Sequence, residues 1–318
     1  MHLKTLQKRK IGVALSCGAA RGFAHLGVLE ELSAAGIEPC CVAGSSAGAL
    51  VGALYCGGRF SEYIQRIQSW TRKDTLSMMD PVVPRSGLIQ GHRILEFNGA
   101  FFNVDTVEAC SPQLAVVATE AATGEELVLD SGDLRAAIRG SISIPGLFTP
   151  APWQGSFLLD GGLVNPLPVD ICRAFGAEVV IAVDVNSQMV LPLESQALSA
   201  ESADSSSEET APEIPSTWHK LFGNNHTSLV QLVQNWLGNN GTSRRKMAFE
   251  KGITDTLLHS ITIMQRSVQQ ARLRTARPEF LLQPQLNDVR LMDFHRAADS
   301  IAAGRQTAHD FLQNLKQA

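Results

Sequence analysis

Short apolar runs alternate with stretches of helical periodicity over the first 190 or so residues of the chain. Ile11–Leu15 is a continuous apolar run between Lys10 and Ser16 and reads as a buried strand. From Phe23 to Ala35, Leu26, Leu29 and Leu32 recur at three-residue spacing, and Gly36 supplies a stop, so this stretch is predicted to be a helix. Cys40–Ala43 predicts a second strand, and the small-residue run Ala49–Leu54 a second helix. Ile64, Ile67 and Trp70 mark another helix. Leu114–Thr119, Leu127–Leu129 and Phe157–Leu159 read as strands, Val169–Phe175 as a helix and Val179–Val185 as a buried strand. This alternation predicts an α/β fold, a mostly parallel sheet sandwiched by helices in three layers. Sites in such sheets collect at the carboxyl ends of the strands.

The pattern breaks after Leu193. From Glu194 to Pro215 there are six acidic residues, no Lys or Arg, and many Ser and Ala. Such a segment cannot bury enough apolar surface to order itself, and residues 194–217 are expected to be a disordered linker. Beyond it, Leu229, Val230, Leu232, Val233, Trp236 and Leu237 share one face of a short helix, followed by Arg244-Arg245-Lys246. An amphipathic helix beside basic residues either docks on a membrane surface or packs on its own domain, and both readings stay open for residues 218–246. Two longer helices follow. One runs from about Thr254 to Ala276 with Leu257, Leu258, Ile261, Met264 and Val268 turned inward, and the other spans roughly Phe294 to Leu315. Phe280-Leu281-Leu282 between them reads as a strand. The expected organisation is a core over 1–193, a linker over 194–217, and a helical extension over 218–318 that packs on the core. No internal repeat is visible.

At 318 residues and 44% hydrophobic content, the chain can build a substantial core. Its net charge of −4 argues against a general nucleic-acid partner. Met1–Lys10 is basic, but the apolar run after it is only Ile11–Leu15, which does not resemble a secretory signal. The six cysteines (Cys17, Cys40, Cys41, Cys56, Cys110 and Cys172) form no C-x-x-C pair and have no histidines at zinc-ligand spacing. A reducing, cytoplasmic setting without a structural metal is expected, with 218–246 as the candidate contact to the inner membrane surface.

Gly44-Ser45-Ser46-Ala47-Gly48 is a G-x-S-x-G sequence between an apolar run and a helix-like run. Strand, sharp turn and helix is the context in which this pattern presents its serine as a nucleophile, which makes Ser46 a candidate. Two plainer readings compete. The pattern recurs by chance in chains rich in Gly and Ala, and Gly44, Gly48 and Gly52 also form the G-x-x-x-G spacing of membrane helix contacts. The second fails on length, since no run approaches the roughly 18–20 apolar residues of a membrane span. A nucleophilic serine needs a base and donors for an oxyanion. Ser16–Gly22, after the first strand, is rich in small residues whose backbone N–H groups could face an oxyanion, or it is a plain strand-to-helix turn. Asp160-Gly161-Gly162, after Phe157–Leu159, offers a carboxylate, or a turn-capping aspartate.

Four ordered blocks, Leu15–Leu29 (L-S-x-G-x-A-R-G-F-A-H-L-G-V-L), Gly44–Gly48, Ser141–Pro150 (S-I-S-I-P-G-L-F-x-P) and Leu159–Val169 (L-D-G-G-L-V-N-P-L-P-V), resemble the bacterial patatin-like phospholipases. The resemblance covers about residues 10–190. It extends more loosely to the last hundred, where Leu281-Leu282-Gln283-Pro284 and Asp293-Phe294 are similar to small single-domain members. It implies a three-layer patatin-like fold and a Ser–Asp dyad in which Ser46 is the nucleophile and Asp160 the base. It also implies an oxyanion hole at the amides of Gly18 and Ala19, within the loop of Cys17, Ala20, Arg21 and Gly22. Gly44, Gly48, Gly161 and Gly162 complete the motifs. The implied reaction is hydrolysis of acyl esters in lipids through an acyl-enzyme, with no metal or organic cofactor.

A free aspartate, with a pKa near 3.9, is a weak base toward a hydroxyl, so burial of Asp160 is required by this reading. The chain departs from the family at its glycine-rich loop, usually G-G-G-x-R-G. Cys17 and Ala19 replace the first and third glycines. A Cβ at a position of positive φ would cost about 1–2 kcal/mol. Arg21 either orients the loop, meets an anionic head group or makes a surface ion pair. His25 reads as a packed core histidine. Arg139 either neutralises an anion near the site or makes a structural salt bridge. Two other functions are weighed: a Ser–His acyltransferase using His219, His226, His259, His295 or His309, and a non-catalytic adaptor that keeps the fold.

Overall fold

The structure, a computed structural model, describes residues 1–82, 86–187, 253–286 and 288–317. Its sheet contains β1 (Ile11–Leu15), β2 (Cys41–Ser45), β3 (Gln113–Glu120), β4 (Glu126–Leu129), β5 (Ala151–Trp153), β6 (Ser156–Asp160), β7 (Val179–Val183) and β8 (Phe280–Leu282). Hydrogen-bonded neighbours follow the path β5-β6-β3-β2-β1-β7-β8, and β4 also pairs with β3. β3, β2, β1, β7 and β8 run parallel, while β4, β6 and β5 pair antiparallel. The helices are α1 (Leu3–Leu6), α2 (Phe23–Ala34), α3 (Ala47–Gly57), α4 (Phe60–Gln68), α5 (Arg72–Ser77), α6 (His92–Gly99), α7 (Leu134–Ser141), α8 (Val169–Ala174), α9 (Ile253–Thr275) and α10 (Ala297–Gln317). The fold is α/β, a central sheet flanked by helices.

The two faces of the sheet differ in side-chain size. Because side chains alternate along a strand, Ile11, Val13 and Leu15 of β1 and Val179, Ile181 and Val183 of β7 face one way. They build the main core with α2, α3 and α10, where each large aliphatic side chain contributes about 1.5–3 kcal/mol on burial. Ala14, Cys41, Ala43, Ala115 and Ala182 face the other way, against Val169 and Cys172 of α8 and Leu273 of α9. Small residues there let the second helical layer sit close to the strands.

The strands and helices predicted up to Val183 are present, with shifted ends. β2 begins at Cys41 rather than Cys40 and runs on through Gly44-Ser45, because its pairing with β3 continues to Ser45↔Val117. The C-terminal residues join the same fold: β8 adds to the sheet beside β7, and α10 lies along α2. That crossing is close enough that a Cβ on Gly27 or Gly304 would collide with the other helix's backbone carbonyl.

The expected inward face of α9 is observed in part, with Ile261 buried and Leu258 and Val268 half-buried. Leu257 is 40% exposed and Met264 54% exposed, while Ile261, Thr262 and Gln269 are buried. The buried face also carries a polar contact that apolar periodicity does not reveal, Gln269 Nε2 donating to Asp184 Oδ2 at 2.7 Å. The acidic linker, the whole run 218–246 proposed as a membrane contact, His219 and His226 lie outside the described residues, as does the boundary at 193. No helix among the described residues is long and apolar enough to cross a membrane. All six cysteines are unpaired, and five of them are buried.

Candidate active site

β2 and β6 approach each other end to end along a single edge of β3. Val116–Thr119 of β3 are paired on one side with β4. The other side therefore holds both β2, up to Ser45↔Val117, and β6, from Ala118↔Asp160 onward. Consecutive residues of β3 thus bring the last residue of β2 beside the last residue of β6. The side chains of Ser46 and Asp160, 114 residues apart in sequence, meet there: Ser46 Oγ donates to Asp160 Oδ2 at 2.6 Å.

Ser46 sits between β2 and α3 at φ 55 and ψ −120. A non-glycine residue held there costs of order 1–3 kcal/mol, which the surroundings must supply. They do so through a Ser46 N–H bond to Ser141 Oγ at 2.8 Å and through tight packing of the turn. A Cβ on Gly48 would run into the Leu15 carbonyl, and one on Gly44 would lie 2.5 Å from Ala49 N. Gly22 is similarly pressed against Ala47, and Gly161 against the Val117 carbonyl.

Asp160 is 1% exposed. Its Oδ1 accepts from Gly162 N–H at 2.8 Å, its backbone N–H donates to Ser143 O at 3.0 Å, and its carbonyl accepts from Thr119 Oγ1 at 2.8 Å. Burial pushes its pKa up to about 6, against the hydrogen bonds from Ser46 and Gly162, which favour the carboxylate. At neutral pH the group is a carboxylate with a basicity well above that of a free aspartate.

The loop Cys17–Gly22 follows β1. Among the described residues its Cys17, Ala20 and Arg21 N–H groups are used, by Pro166 O, Leu291 O and Gly18 O. Those of Gly18 and Ala19 have no hydrogen-bond partner there. Of the two replaced glycines, Ala19 occupies a left-handed conformation at φ 47, and Cys17 does not. Gly18 lies at φ 162 and ψ 11, and a Cβ added there would collide with Val185. The Cys17 thiol is fully buried, and desolvation, then the carboxylates of Asp160 and Asp184, push its pKa up.

Arg21 is buried, with Nε donating to Val289 O at 2.7 Å, so it makes no surface ion pair. His25 is also buried. Its Nε2 bonds Ser16 O at 2.8 Å, and burial lowers its pKa to about 4, so it is a neutral core residue. Arg139 makes no salt bridge among the described residues. It donates to Ser143 Oγ at 2.6 Å and to the carbonyls of Gln90 and Thr149, bracing the segment that positions Asp160. Ser141, Ser143 and Thr119 were assigned no role from sequence. The one signal for the first two is their place in the Ser141–Pro150 block.

Ser46, Ala47 and Ala19 open on a cavity with about 1000 Å³ of unfilled space, part of it open to solvent. Its walls are apolar, among them Leu50, Ile67, Trp70, Phe97, Ile142 and Phe148. None of the described histidines lines it. A hydroxyl bonded to a buried carboxylate, two unpaired amides and an apolar cavity can together handle an acyl group: attack its carbonyl, hold the oxyanion and bury its chain.

A family model described as patatin-like phospholipase matches residues 13–173. An uncharacterized NTE family protein of Mycobacterium tuberculosis is 34% identical over 183 residues, 58% of this chain and 51% of that protein. Neuropathy target esterase sws of Drosophila melanogaster is 35% identical over 193 residues, 58% of this chain and 13% of its own. Patatin-like phospholipase domain-containing protein 6 of Homo sapiens is 34% identical over 192 residues, 58% of this chain and 14% of its own. The chain thus aligns with about half the length of the bacterial relative and a smaller share of the animal ones. Among solved structures, VipD from Legionella pneumophila is similar over 96% of this chain and 67% of its own, at a TM-score of 0.43 and 13% identity.

Proposed function

The chain belongs to the patatin-like phospholipase family, and we propose that it is a serine acyl-ester hydrolase acting on lipid esters, with Ser46 as nucleophile and Asp160 as base. The observation that carries this reading is the 2.6 Å hydrogen bond from Ser46 Oγ to a carboxylate buried beside an apolar cavity. Asp160 takes the Ser46 proton as Oγ attacks the ester carbonyl. The carbonyl oxygen gains the negative charge and accepts from the Gly18 and Ala19 amides. Such donors are worth about 3–4 kcal/mol each in comparable sites. Collapse expels the alcohol, which takes its proton from Asp160, and leaves the acyl group on Ser46. Asp160 then accepts a proton from a water that attacks the acyl-enzyme, and returns it to Ser46 as the acid leaves. The acyl chain lies in the apolar cavity throughout.

The dyad rather than a Ser–His pair is favoured because Asp160 already holds the hydroxyl, whereas no described histidine lines the cavity. Turnover of p-nitrophenyl esters of graded chain length tests the proposal. Wild-type protein is expected to hydrolyse them, and both Ser46→Ala and Asp160→Asn to lose at least about a hundredfold in kcat. Unchanged turnover in Asp160→Asn would remove the dyad.

A further inference from the structure

The loop carrying the Gly18 and Ala19 amides, which have no partner among the described residues, is anchored from both ends by segments distant in sequence. On one side Cys17 N–H donates to Pro166 O at 2.9 Å, and Asn186 Nδ2 donates to Cys17 O at 2.6 Å. On the other, Ala20 N–H donates to Leu291 O at 2.9 Å and Arg21 Nε to Val289 O at 2.7 Å. The second pair of bonds is interior: Arg21 is 6% exposed and Val289 4%. Gly18 and Ala19 lie between the anchors, with Ala19 in its left-handed conformation. A backbone strained at that point keeps its shape only while its neighbours hold it.

The downstream anchor leads directly into the cavity wall. Leu291 is followed by Met292, which lines the cavity, and then by Phe294, which also lines it. Phe294 packs edge-on against Phe23, the first residue of α2, with ring centroids 6.1 Å apart. One short segment therefore touches the acyl side of the cavity with its side chains and the oxyanion loop with its carbonyls.

We propose that Arg21 is a positioning residue, and that Val289–Phe294 is a specificity element through which an acyl chain reaching Met292 aligns the oxyanion loop. The proposal rests on the hydrolase reading above. A chain packed against Met292 restrains the adjoining Leu291 carbonyl, and with it Ala20 N–H and the two free amides. Alignment of this kind acts in the transition state, so it raises kcat with chain length. Simple burial of extra methylenes would instead lower KM and leave kcat flat.

The test is steady-state hydrolysis of p-nitrophenyl esters from acetyl to palmitoyl by the full chain, with thermal melts of every variant. In the wild type, kcat is expected to climb with chain length and then level. Arg21→Met is expected to lower kcat at least about tenfold at all lengths while KM moves less than about twofold, and Arg21→Lys to recover part of the loss. Met292→Ala is expected to flatten the dependence of kcat on length, and Met292→Leu to retain it. A wild-type length effect confined to KM, or an Arg21→Met loss that merely follows a lowered melting temperature, would overturn the proposal. Absence of turnover together with absence of a fluorophosphonate adduct on Ser46 would instead overturn the hydrolase reading on which it stands.

Discussion

Replacing Asp160 by Asn should stabilise the protein, and only above about pH 4. The folded structure raises the Asp160 pKa from its ordinary 3.8 to about 6, chiefly by burial. Between those values the folded chain holds a proton that the unfolded chain has released, so its stability falls as pH rises through the window. Below about pH 4 both states are protonated and the carboxyl carries no such penalty. Above about pH 6 the penalty is complete, and roughly two pKa units at 1.36 kcal/mol each come to about 3 kcal/mol. Asparagine is isosteric and never ionises. It can still accept from Gly162 N–H through Oδ1, while Nδ2 donates to the Ser46 hydroxyl in place of the bond Ser46 donates now. Urea unfolding of both proteins across this range, with equal m-values as a check, gives the difference directly. The two curves should meet near pH 4, with the Asn variant ahead by about 3 kcal/mol near pH 8. A pH-independent difference, or a wild type more stable than Asp160→Asn at about pH 8, would refute the claim that burial of a charged Asp160 opposes folding.

The same ionisation should appear in catalysis: kcat/KM is expected to rise through an apparent pKa of about 6 as the carboxylate forms, and a profile flat across that range would count against Asp160 as base. Ala19→Gly should relieve left-handed strain while adding chain entropy to the unfolded state, for a net gain of up to about 1 kcal/mol in denaturant unfolding. Destabilisation by that variant would mean that φ 47 is not strained as described. Ser141→Ala leaves the Ser46 N–H buried without its acceptor. It should cost about 1–3 kcal/mol in stability and also lower kcat, with wild-type values for both as the contrary result.

The parts of this fold that sequence exposes are those governed by local pattern. β1 is one uninterrupted apolar run, and α2 shows its three-residue spacing and its Gly36 stop, a glycine at φ 68. Ser46 and the loop Cys17–Gly22 stand at strand-to-helix turns, where composition alone marks them. Long-range contact left no trace in local pattern, and the pairing of Ser46 with Asp160 came only from the family resemblance. The shared edge of β3 brings Asp160 to Ser46, yet nothing in either segment states that β2 and β6 divide one partner. Ser143 meets Asp160 through its own backbone carbonyl, so its residue type carries little signal, and Thr119 reaches the Asp160 carbonyl with Oγ1 from 41 residues away. On α9, Leu257 and Met264 face outward while Gln269 is buried on Asp184, a polar contact that hydrophobic periodicity cannot register. Arg21 offered three readings from sequence. Its burial and its bond to Val289 O, 268 residues away in sequence, remove the surface ion pair.

The central claim is that Ser46 is a nucleophile made reactive by a buried carboxylate. Fluorophosphonate labelling followed by peptide mapping measures this most directly, because it reads covalent reactivity at one oxygen without requiring the right lipid. The expected result is a stoichiometric adduct on Ser46, formed far more slowly in Asp160→Asn and not at all in Ser46→Ala. An adduct on another residue, or equal labelling rates with and without the Asp160 carboxylate, would contradict it.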